Sequence, residues 1–132
     1  MDSVRRTVTP LTIEIPAPCA WVTSNTHGHW RVRHQLTREW RRSAHLWALD
    51  ANATAFPGPV HIDATIHKMT RRRFDLDGHM PTLKACVDGI RDAGVLPEDH
   101  IGVVPSITLR AGEPRDRAWL VITITPTEGA TP

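Results

Sequence analysis

The sequence predicts an α/β (α+β) fold, a single small domain in which two helices pack on a four-stranded mixed sheet. Four segments alternate apolar and polar residues, a pattern typical of half-buried strands. Two other segments repeat apolar residues with a helical period. The order is strand, helix, strand, helix, strand, strand, and 132 residues suit one domain with a modest core.

The first predicted strand covers residues 11–15 and ends at Pro16. Residues 19–34 show no period, so we expect an irregular loop there. The loop is rich in aromatic, imidazole and guanidinium groups. Two roles stay open for this loop. Its side chains contact the bases and backbone of a nucleic acid, or its tryptophans anchor the loop to the protein core. The side chains concerned are Trp21, Ser24, Asn25, His27, His29, Trp30, Arg31 and Arg33.

The first helix is predicted to begin at Thr37, a residue type that caps helices, and to end near Asn52. Apolar residues spaced by a helical period predict its buried stripe. The arginines off that stripe form either a solvated face or a binding surface. The predicted stripe consists of Trp40, Ala44, Trp47 and Ala51.

The second strand is predicted at residues 60–68, with one apolar face and one polar face. The polar face carries residue types that ligate metals, but their spacing matches no recognised zinc pattern. The apolar face consists of Val60, Ile62, Ala64 and Ile66, and the polar face of His61, Asp63, Thr65 and His67.

A second helix is predicted from about Pro81, since proline fits the first turn, to Gly94, a natural C-terminal stop. Its buried stripe is expected to be Leu83, Val87 and Ile90. Two further alternating segments predict the last strands, joined by a hairpin-like turn through residues 112–116. Residues 1–9 and 127–132 are expected to be flexible tails of a domain that spans residues 1–132.

Composition narrows the class of protein. The net charge of +2 does not by itself indicate nucleic-acid binding, but the cations cluster in residues 31–42 and 68–73. No run approaches the roughly 18 apolar residues of a membrane span. We therefore expect a cytoplasmic protein with no membrane partner, and free thiols at Cys19 and Cys86 because nothing indicates secretion.

Residues 70–99 hold the candidate catalytic chemistry. Asp75 and Asp77 are two residues apart, and in an extended segment such residues face the same side. Their carboxylates are therefore predicted to converge on a hard cation. We expect Asp75, Asp77 and Asp99 to hold Mg²⁺, with Mn²⁺ as a possible substitute, and Lys84 to stabilise charge on a phosphate.

The neighbouring residues fit the same chemistry. Arg71, Arg72 and Arg73 directly precede the carboxylates and are expected to follow a phosphate backbone. His79 is a candidate general base, although a metal-bound water would need little help from it. Each part alone also has an ordinary interpretation, as turn residues, solvated charges or a loop acid.

Residues 71–77, then Lys84-Ala85 and Asp88, then residues 92–96 with Glu98-Asp99, resemble the core motif of the RusA family of Holliday-junction resolvases. The similarity extends more weakly to the proline-rich loop with Ser24-Asn25, the Arg-rich first helix and the last two strands. It implies a RusA-like nuclease domain and a Mg²⁺-dependent homodimer that resolves four-way junctions by paired symmetric nicks. By position, the family's metal-binding aspartates fall on Asp75, Asp77 and Asp99, and its essential lysine falls on Lys84.

The sequence departs from the family at Gly78, where an asparagine is usual, and extra residues separate Asp77 from Lys84. The expected function is a Mg²⁺-dependent structure-selective endodeoxyribonuclease acting on branched DNA, with no small-molecule cofactor. One alternative is a branched-DNA-binding module that has lost turnover. Another is a small metal-dependent hydrolase of nucleotides, against which the arginine clusters argue, since they suit a long polyanion.

Overall fold

The computed structural model describes residues 10–26, 30–51, 54–96 and 102–127. Its elements follow the predicted order and confirm the α+β fold with a four-stranded mixed sheet and two helices. A short 3₁₀ helix, Asp77–His79, precedes the second helix. The strands and helices are β1 (Leu11–Pro16), α1 (Trp30–Asp50), β2 (Val60–His67), α2 (Met80–Asp92), β3 (Ser106–Ala111) and β4 (Trp119–Pro126).

The sheet order is β1-β4-β2-β3. β4 is antiparallel to both β1 and β2, and β2 is parallel to β3, so three strands share one direction. Their carboxyl ends therefore lie at the same edge of the sheet, which we call the carboxyl edge. The chain segments that leave this edge carry most of the candidate functional residues.

The predicted hairpin between the last two strands is wrong, because β2 lies between β3 and β4. Alternate residues of β4 are fully buried, whereas none of the residues of β3 is. The more apolar β4 therefore buries more apolar surface in a central position, and the more polar β3 is an outer strand of the sheet.

One face of the sheet carries the core, and the two helices pack against it. The predicted alternation of β2 is confirmed, with its apolar face buried and its polar face partly exposed. The same alternation buries Leu120, Ile122 and Ile124 of β4. The opposite face of the sheet is polar and carries an ion pair between Asp63 and Arg110.

Helix α1 begins at Trp30, two turns before the predicted start at Thr37. Thr37 is not a cap, because its hydroxyl donates to the carbonyl of Arg33, four residues earlier in the same helix, at 2.9 Å. The first part of the helix has no fully buried residue, so its sequence lacks the apolar period by which a helix is recognised.

The predicted stripe of α1 is half right. Trp40, Ala44 and Ala48 are buried, whereas Trp47 and Ala51 are exposed. Residues four apart form the ridges by which helices commonly pack, and the buried set follows one such ridge. The resulting surface leaves Leu46, Trp47 and Leu49 exposed near the end of α1.

Helix α2 begins at Met80 with Pro81 in its first turn, and the predicted stripe of Leu83, Val87 and Ile90 is buried. Gly94 follows its end with a φ of 85°, a conformation that glycine adopts readily. Both cysteines are free, as expected, and Cys86 is buried between the helices with its thiol 3.9 Å from the Trp40 carbonyl.

Residue 127, expected in a flexible tail, is anchored, because the Thr127 amide donates to the Pro59 carbonyl at 3.0 Å. The other predicted tail residues lie outside the described part of the chain. Within the described ranges, no helix combines the length and the apolar character needed to cross a membrane.

Helices α1 and α2 approach most closely at Gly89. A Cβ atom there would meet the Arg41 carbonyl oxygen, and would lie 3.0 Å from the His45 amide nitrogen. Because backbone atoms cannot yield as a flexible side chain does, the glycine sets the spacing between the helices.

We expect Gly89→Ala to destabilise the protein by about 1–3 kcal/mol through overpacking, although alanine is the better helix former. Urea unfolding monitored by circular dichroism measures the change. Gly58→Ala is the matched control, since nothing lies within 4 Å of a Cβ at that exposed position. Equal stability of the Gly89→Ala variant and wild type would show that the close approach is not a constraint.

Candidate functional site

Two connecting segments that leave the carboxyl edge meet at the candidate site. The segment after β1 ends in a turn at Ser24 and Asn25, and the segment after β2 carries residues 68–79. The Ser24 amide donates to the Gly78 carbonyl at 2.8 Å, which joins the two segments. The turn that holds Asp75 and Asp77 is therefore fixed by residues distant in sequence.

The structure brings the Asp75 and Asp77 carboxyls together, as predicted, but not through an extended segment. Leu76 has helical backbone angles, and Asp77 begins the 3₁₀ helix. Both carboxyls are exposed and share a side-chain hydrogen bond. That hydrogen bond, together with the negative charge of Asp77, raises the pKa of Asp75 above its ordinary value, so the pair retains a proton more readily than a lone aspartate.

Gly78 leaves room for the side chains of Asp75 and Ser24. Its amide donates to the Asp75 carboxylate, and a Cβ there would lie 2.9 Å from Asp75 Oδ2 and 3.3 Å from Ser24 Oγ. An asparagine at this position would displace the Asp75 carboxyl from its present place. Glycine at this position is therefore coupled to how Asp75 folds back over the turn.

His79 is built into the turn. It is 5% exposed, and its Nδ1–H donates to the Asp75 carbonyl at 2.8 Å. Its Nε2 is buried with no hydrogen-bond partner among the described residues. Burial lowers the pKa of His79 and so favours the neutral ring, whose hydrogen bond fixes the backbone of Asp75. This geometry favours a structural role over the candidate role as general base, because neither ring nitrogen faces solvent.

Lys68 also neighbours the turn, although the sequence analysis assigned it no role in the site. Its ammonium lies 4.1 Å from the Phe74 ring centroid and 5.8 Å from that of Trp21. The Phe74 ring in turn packs edge-on against His79 at 5.0 Å. Burial lowers the pKa of Lys68, and its charge adds to the causes that lower the pKa of His79. The sequence did contain one sign of a special role, because lysine is rare here: of the sixteen cations, all but Lys68 and Lys84 are arginine.

Lys84 lies on α2 and points its ammonium at Asp88, with 3.1 Å between Nζ and Oδ1. This is an ordinary pairing of residues four apart on a helix, and Lys84 is largely exposed. The structure therefore gives Asp88 a role, that of the ion-pair partner of Lys84.

Asp99, the predicted third carboxylate, lies outside the described residues, as does Glu98. The described residues on either side of this segment contact the beginning of β2. Phe56 donates its amide to the Val95 carbonyl, and Val60 to that of Val103. Within the described ranges, no group of three or more His, Cys, Asp or Glu side chains is arranged to hold a metal.

Most of the predicted DNA-contacting residues are exposed, but one of them is partly buried and bonded to the protein backbone. Arg71, Arg72 and Arg73 are exposed, and Arg71 makes a loose pair with Glu113 at 3.2 Å. Asn25 is exposed on the turn that contacts Gly78. Arg33 is instead partly buried, and its guanidinium donates to the Thr23 carbonyl at 2.8 Å.

Arg31 is exposed at the start of α1, with its guanidinium carbon 5.5 Å from the Trp30 ring centroid. Trp21 anchors the loop by stacking on Trp40 with ring centroids 4.9 Å apart. Trp30 is 65% exposed, so the anchoring role fits only one of the two loop tryptophans. His27 and His29 lie outside the described residues.

The donor chemistry of the turn fits a hard divalent cation. Asp75 and Asp77 are exposed and close enough for Asp77 to raise the pKa of Asp75, and a cation bound by both carboxyls would relieve their repulsion. Mg²⁺ commonly uses one or two protein carboxylates and keeps several waters, so a two-carboxylate site is compatible with it.

Replacing Asp77 with Asn should lower the pKa of Asp75, because the substitution removes the like charge while leaving a polar side chain beside it. Carbon-detected NMR titration of the side-chain carboxyls measures this. Asp88→Asn serves as the control, since its partner is Lys84. A wild-type Asp75 that titrates as an isolated aspartate would contradict the shared hydrogen bond.

Acid should destabilise the protein through His79. Its pKa is lower folded than unfolded, so the unfolded chain binds more protons as the pH falls through about 6.5, and stability falls until the folded pKa is passed. In urea unfolding between about pH 7.5 and 5, His79→Gln should lose this part of the slope. His34→Gln, at an exposed position of α1, should keep the wild-type slope. Equal slopes for His79→Gln and wild type would exclude His79 as the cause.

The comparisons with known proteins leave the chain without an assigned family: no protein-family model matches it, and no curated protein is significantly similar to it.

Proposed function

We propose that the protein is a metal-dependent endodeoxyribonuclease that cuts branched DNA. The observation that carries the proposal is the pair of exposed, hydrogen-bonded carboxyls of Asp75 and Asp77, placed directly after three exposed arginines. Paired carboxylates supply the cation site and the arginines a path for a phosphate backbone. The similarity of residues 71–99 to the RusA motif supports the same chemistry and suggests four-way junctions as the substrate.

In this proposal the turn would hold Mg²⁺, or Mn²⁺ as a substitute, through Asp75 and Asp77. Asp99 is the third carboxylate by its position in the RusA motif alone, since the described residues on either side of it, Val95 and Val103, bond to Phe56 and Val60 at the end of β2 opposite the turn. The chemistry that such an ion supplies is polarisation of the scissile phosphate and activation of water. Gly78 and His79 keep the Asp75 carboxyl in place from the backbone side. Lys84 stabilises charge on the phosphate, and Lys68 adds positive potential near Phe74.

The arginines bring the substrate to the carboxyls. Arg72 and Arg73 are exposed and can contact phosphates. Arg71 forms an ion pair with Glu113, which is solvent-exposed and therefore costs little to break. Asn25 reaches the same site from the turn held by Gly78. Arg33 contributes by fixing that turn, and Arg31 extends the basic surface along α1.

We also propose that the active form is a homodimer. A four-way junction is approximately two-fold symmetric, and cutting two opposed strands needs two equivalent sites, which a C₂ dimer provides. Since its substrate would be chromosomal or phage DNA, the corresponding location is the cytoplasm.

A second candidate is a branched-DNA-binding module without turnover. The observation in its favour is that the described residues gather two carboxylates but no third ligand. A basic surface alone would bind junctions and lose affinity steeply with salt, as a nuclease would. Cleavage is therefore the property that separates the two functions.

Cleavage of a labelled mobile four-way junction, beside a linear duplex of the same arm sequence, tests the proposal. We expect paired symmetric nicks in the junction only, dependent on Mg²⁺ and absent with EDTA. Asp77→Asn should slow cleavage by at least about a hundredfold, because loss of even an outer-shell partner of a metal costs 10–100-fold. Junction binding by this variant should be equal or tighter, since a negative charge facing the phosphate is removed.

Asp50→Asn is the matched control, because it removes a carboxylate at the exposed end of α1 and should leave cleavage unchanged. Tight junction binding by wild type without any nick would favour the binding module. Intact cleavage by Asp77→Asn would reject the carboxyl pair as the metal site. Failure of wild type to bind branched DNA would instead revive a hydrolase of small nucleotides.

A further inference from the structure

A second pair of arginines lies at the carboxyl edge, beyond the residues assigned to the proposed site. The connection between β3 and β4, which we call the 112–118 loop, passes across the end of β2 on its way to Trp119. Arg115 and Arg117 both belong to this loop. Their guanidinium carbons lie 5.8 Å and 5.7 Å from the centroid of the Trp119 ring.

The 112–118 loop is firmly attached to the end of β2. The Gly112 amide donates to the Ile66 carbonyl at 2.9 Å, and the His67 ring donates from Nδ1 to the Glu113 carbonyl at 2.7 Å. The Arg115 amide donates to the Lys68 carbonyl at 2.9 Å. These three bonds continue the pairing of the strands and give Arg115 a defined backbone position.

Gly112 shows how closely the loop lies on the strand. A Cβ atom there would be 2.5 Å from the His67 ring and 2.6 Å from the Thr65 side chain. The loop therefore packs directly on β2 and is not an open excursion into solvent.

Trp119 holds two like charges near each other. It is the first residue of β4 and pairs with His67 of β2 on one side and Pro16 of β1 on the other. Attraction between each guanidinium and the ring opposes their mutual repulsion. The ring thus arranges the two arginines before any ligand arrives.

Acidic groups nearby offset this charge: exposed Asp116 lies between the two arginines in the sequence, and Glu113 of the same loop pairs with Arg71. Arg115 pairs with Glu14 at 3.3 Å, and both side chains remain substantially exposed. Arg117 is exposed and forms no ion pair with any described residue. Its guanidinium instead lies over the Trp119 ring. By contrast, Arg110 on the same face of the sheet is fully engaged by Asp63 through two hydrogen bonds of 2.8 and 3.2 Å.

This surface is continuous with Arg71–Arg73. The loop contacts the segment that leads to those arginines both through the Arg115–Lys68 hydrogen bond and through the Arg71–Glu113 pair. A polyanion that follows Arg71–Arg73 would therefore reach Arg115 and Arg117 without leaving the carboxyl edge.

We propose that Arg115 and Arg117, arranged by Trp119, form a second contact for the sugar-phosphate backbone of DNA. The choice of DNA as the polyanion rests on the proposed function. The contact extends the bound length of DNA past the carboxyl pair, so that the proposed site lies along the bound segment and not at its end. Arg117 is exposed, and Arg115 is half-buried with a partly exposed ion pair to Glu14 that costs little to break, so each guanidinium can donate to phosphate oxygens in the bidentate manner that arginine favours.

The test is binding of a fluorescently labelled four-way junction by anisotropy, in EDTA, over a series of salt concentrations. Changing Arg115 and Arg117 together to Gln should weaken binding roughly tenfold or more at about 0.1 M salt, and should make the salt slope shallower by roughly 1–2, at about 0.9 per lost phosphate contact. The charge-preserving pair Arg115→Lys and Arg117→Lys should keep most of the slope, which separates a charge contact from damage to the loop.

Arg110→Gln is the matched control, because it removes one arginine from the same face whose charge Asp63 already compensates. It should leave the slope close to that of wild type. An unchanged slope in the double Gln variant, or an equal loss in the Arg110→Gln control, would overturn the inference.

A parallel assay with Mg²⁺ separates this inference from the proposed function. Wild type that binds with the expected slope and depends on Arg115 and Arg117, yet never nicks the junction, would keep the second contact and reject the nuclease. If wild type nicks the junction but the double Gln variant binds DNA like wild type, the nuclease is kept and the second contact is rejected. Absence of any DNA binding by wild type would overturn both.

Discussion

The position of β4 between β1 and β2 determines the architecture. Because β4 is antiparallel to both neighbours, β1 and β2 must run the same way, and the chain needs α1 to return from the end of one to the start of the other. The same holds for α2 between β2 and β3. Both helices consequently cover one face of the sheet, and every segment leaving a parallel strand starts at the carboxyl edge, where the candidate residues collect.

Charge compensation shapes the turn at that edge. Two adjacent carboxyls would repel each other in their ionised forms, which raises the pKa of Asp75, and the Gly78 amide and the backbone held by His79 stabilise the turn that carries them. The Gly78 amide bonds to the Asp75 carboxyl, and the buried His79 ring bonds to the Asp75 carbonyl. The turn is therefore specified by contacts of its backbone, while its carboxyl oxygens stay accessible.

Local patterns in the sequence were enough for the strands and for α2, because each buries one regular face. They were insufficient where long-range packing decides. The start of α1 carries no buried stripe, and the position of Trp47 depends on which ridge of α1 meets α2 at Gly89. Likewise, Asp75 and Asp77 were predicted to converge, but through an extended backbone. Their actual turn depends on Ser24, a contact across more than fifty residues that no local pattern encodes.

The central location of β4 also bears on how the chain folds. Until residues 119–126 are available, β1 has no partner strand and β2 can pair only with β3, so the sheet has no continuous apolar face for the helices. Pairing of Leu11 with Ile124 closes a loop of more than a hundred residues, and non-local contacts of this kind slow folding. A chain emerging from the ribosome would thus keep its helices amphipathic and unburied until its final strand arrives, which makes the interval before that moment the period of greatest exposure to aggregation.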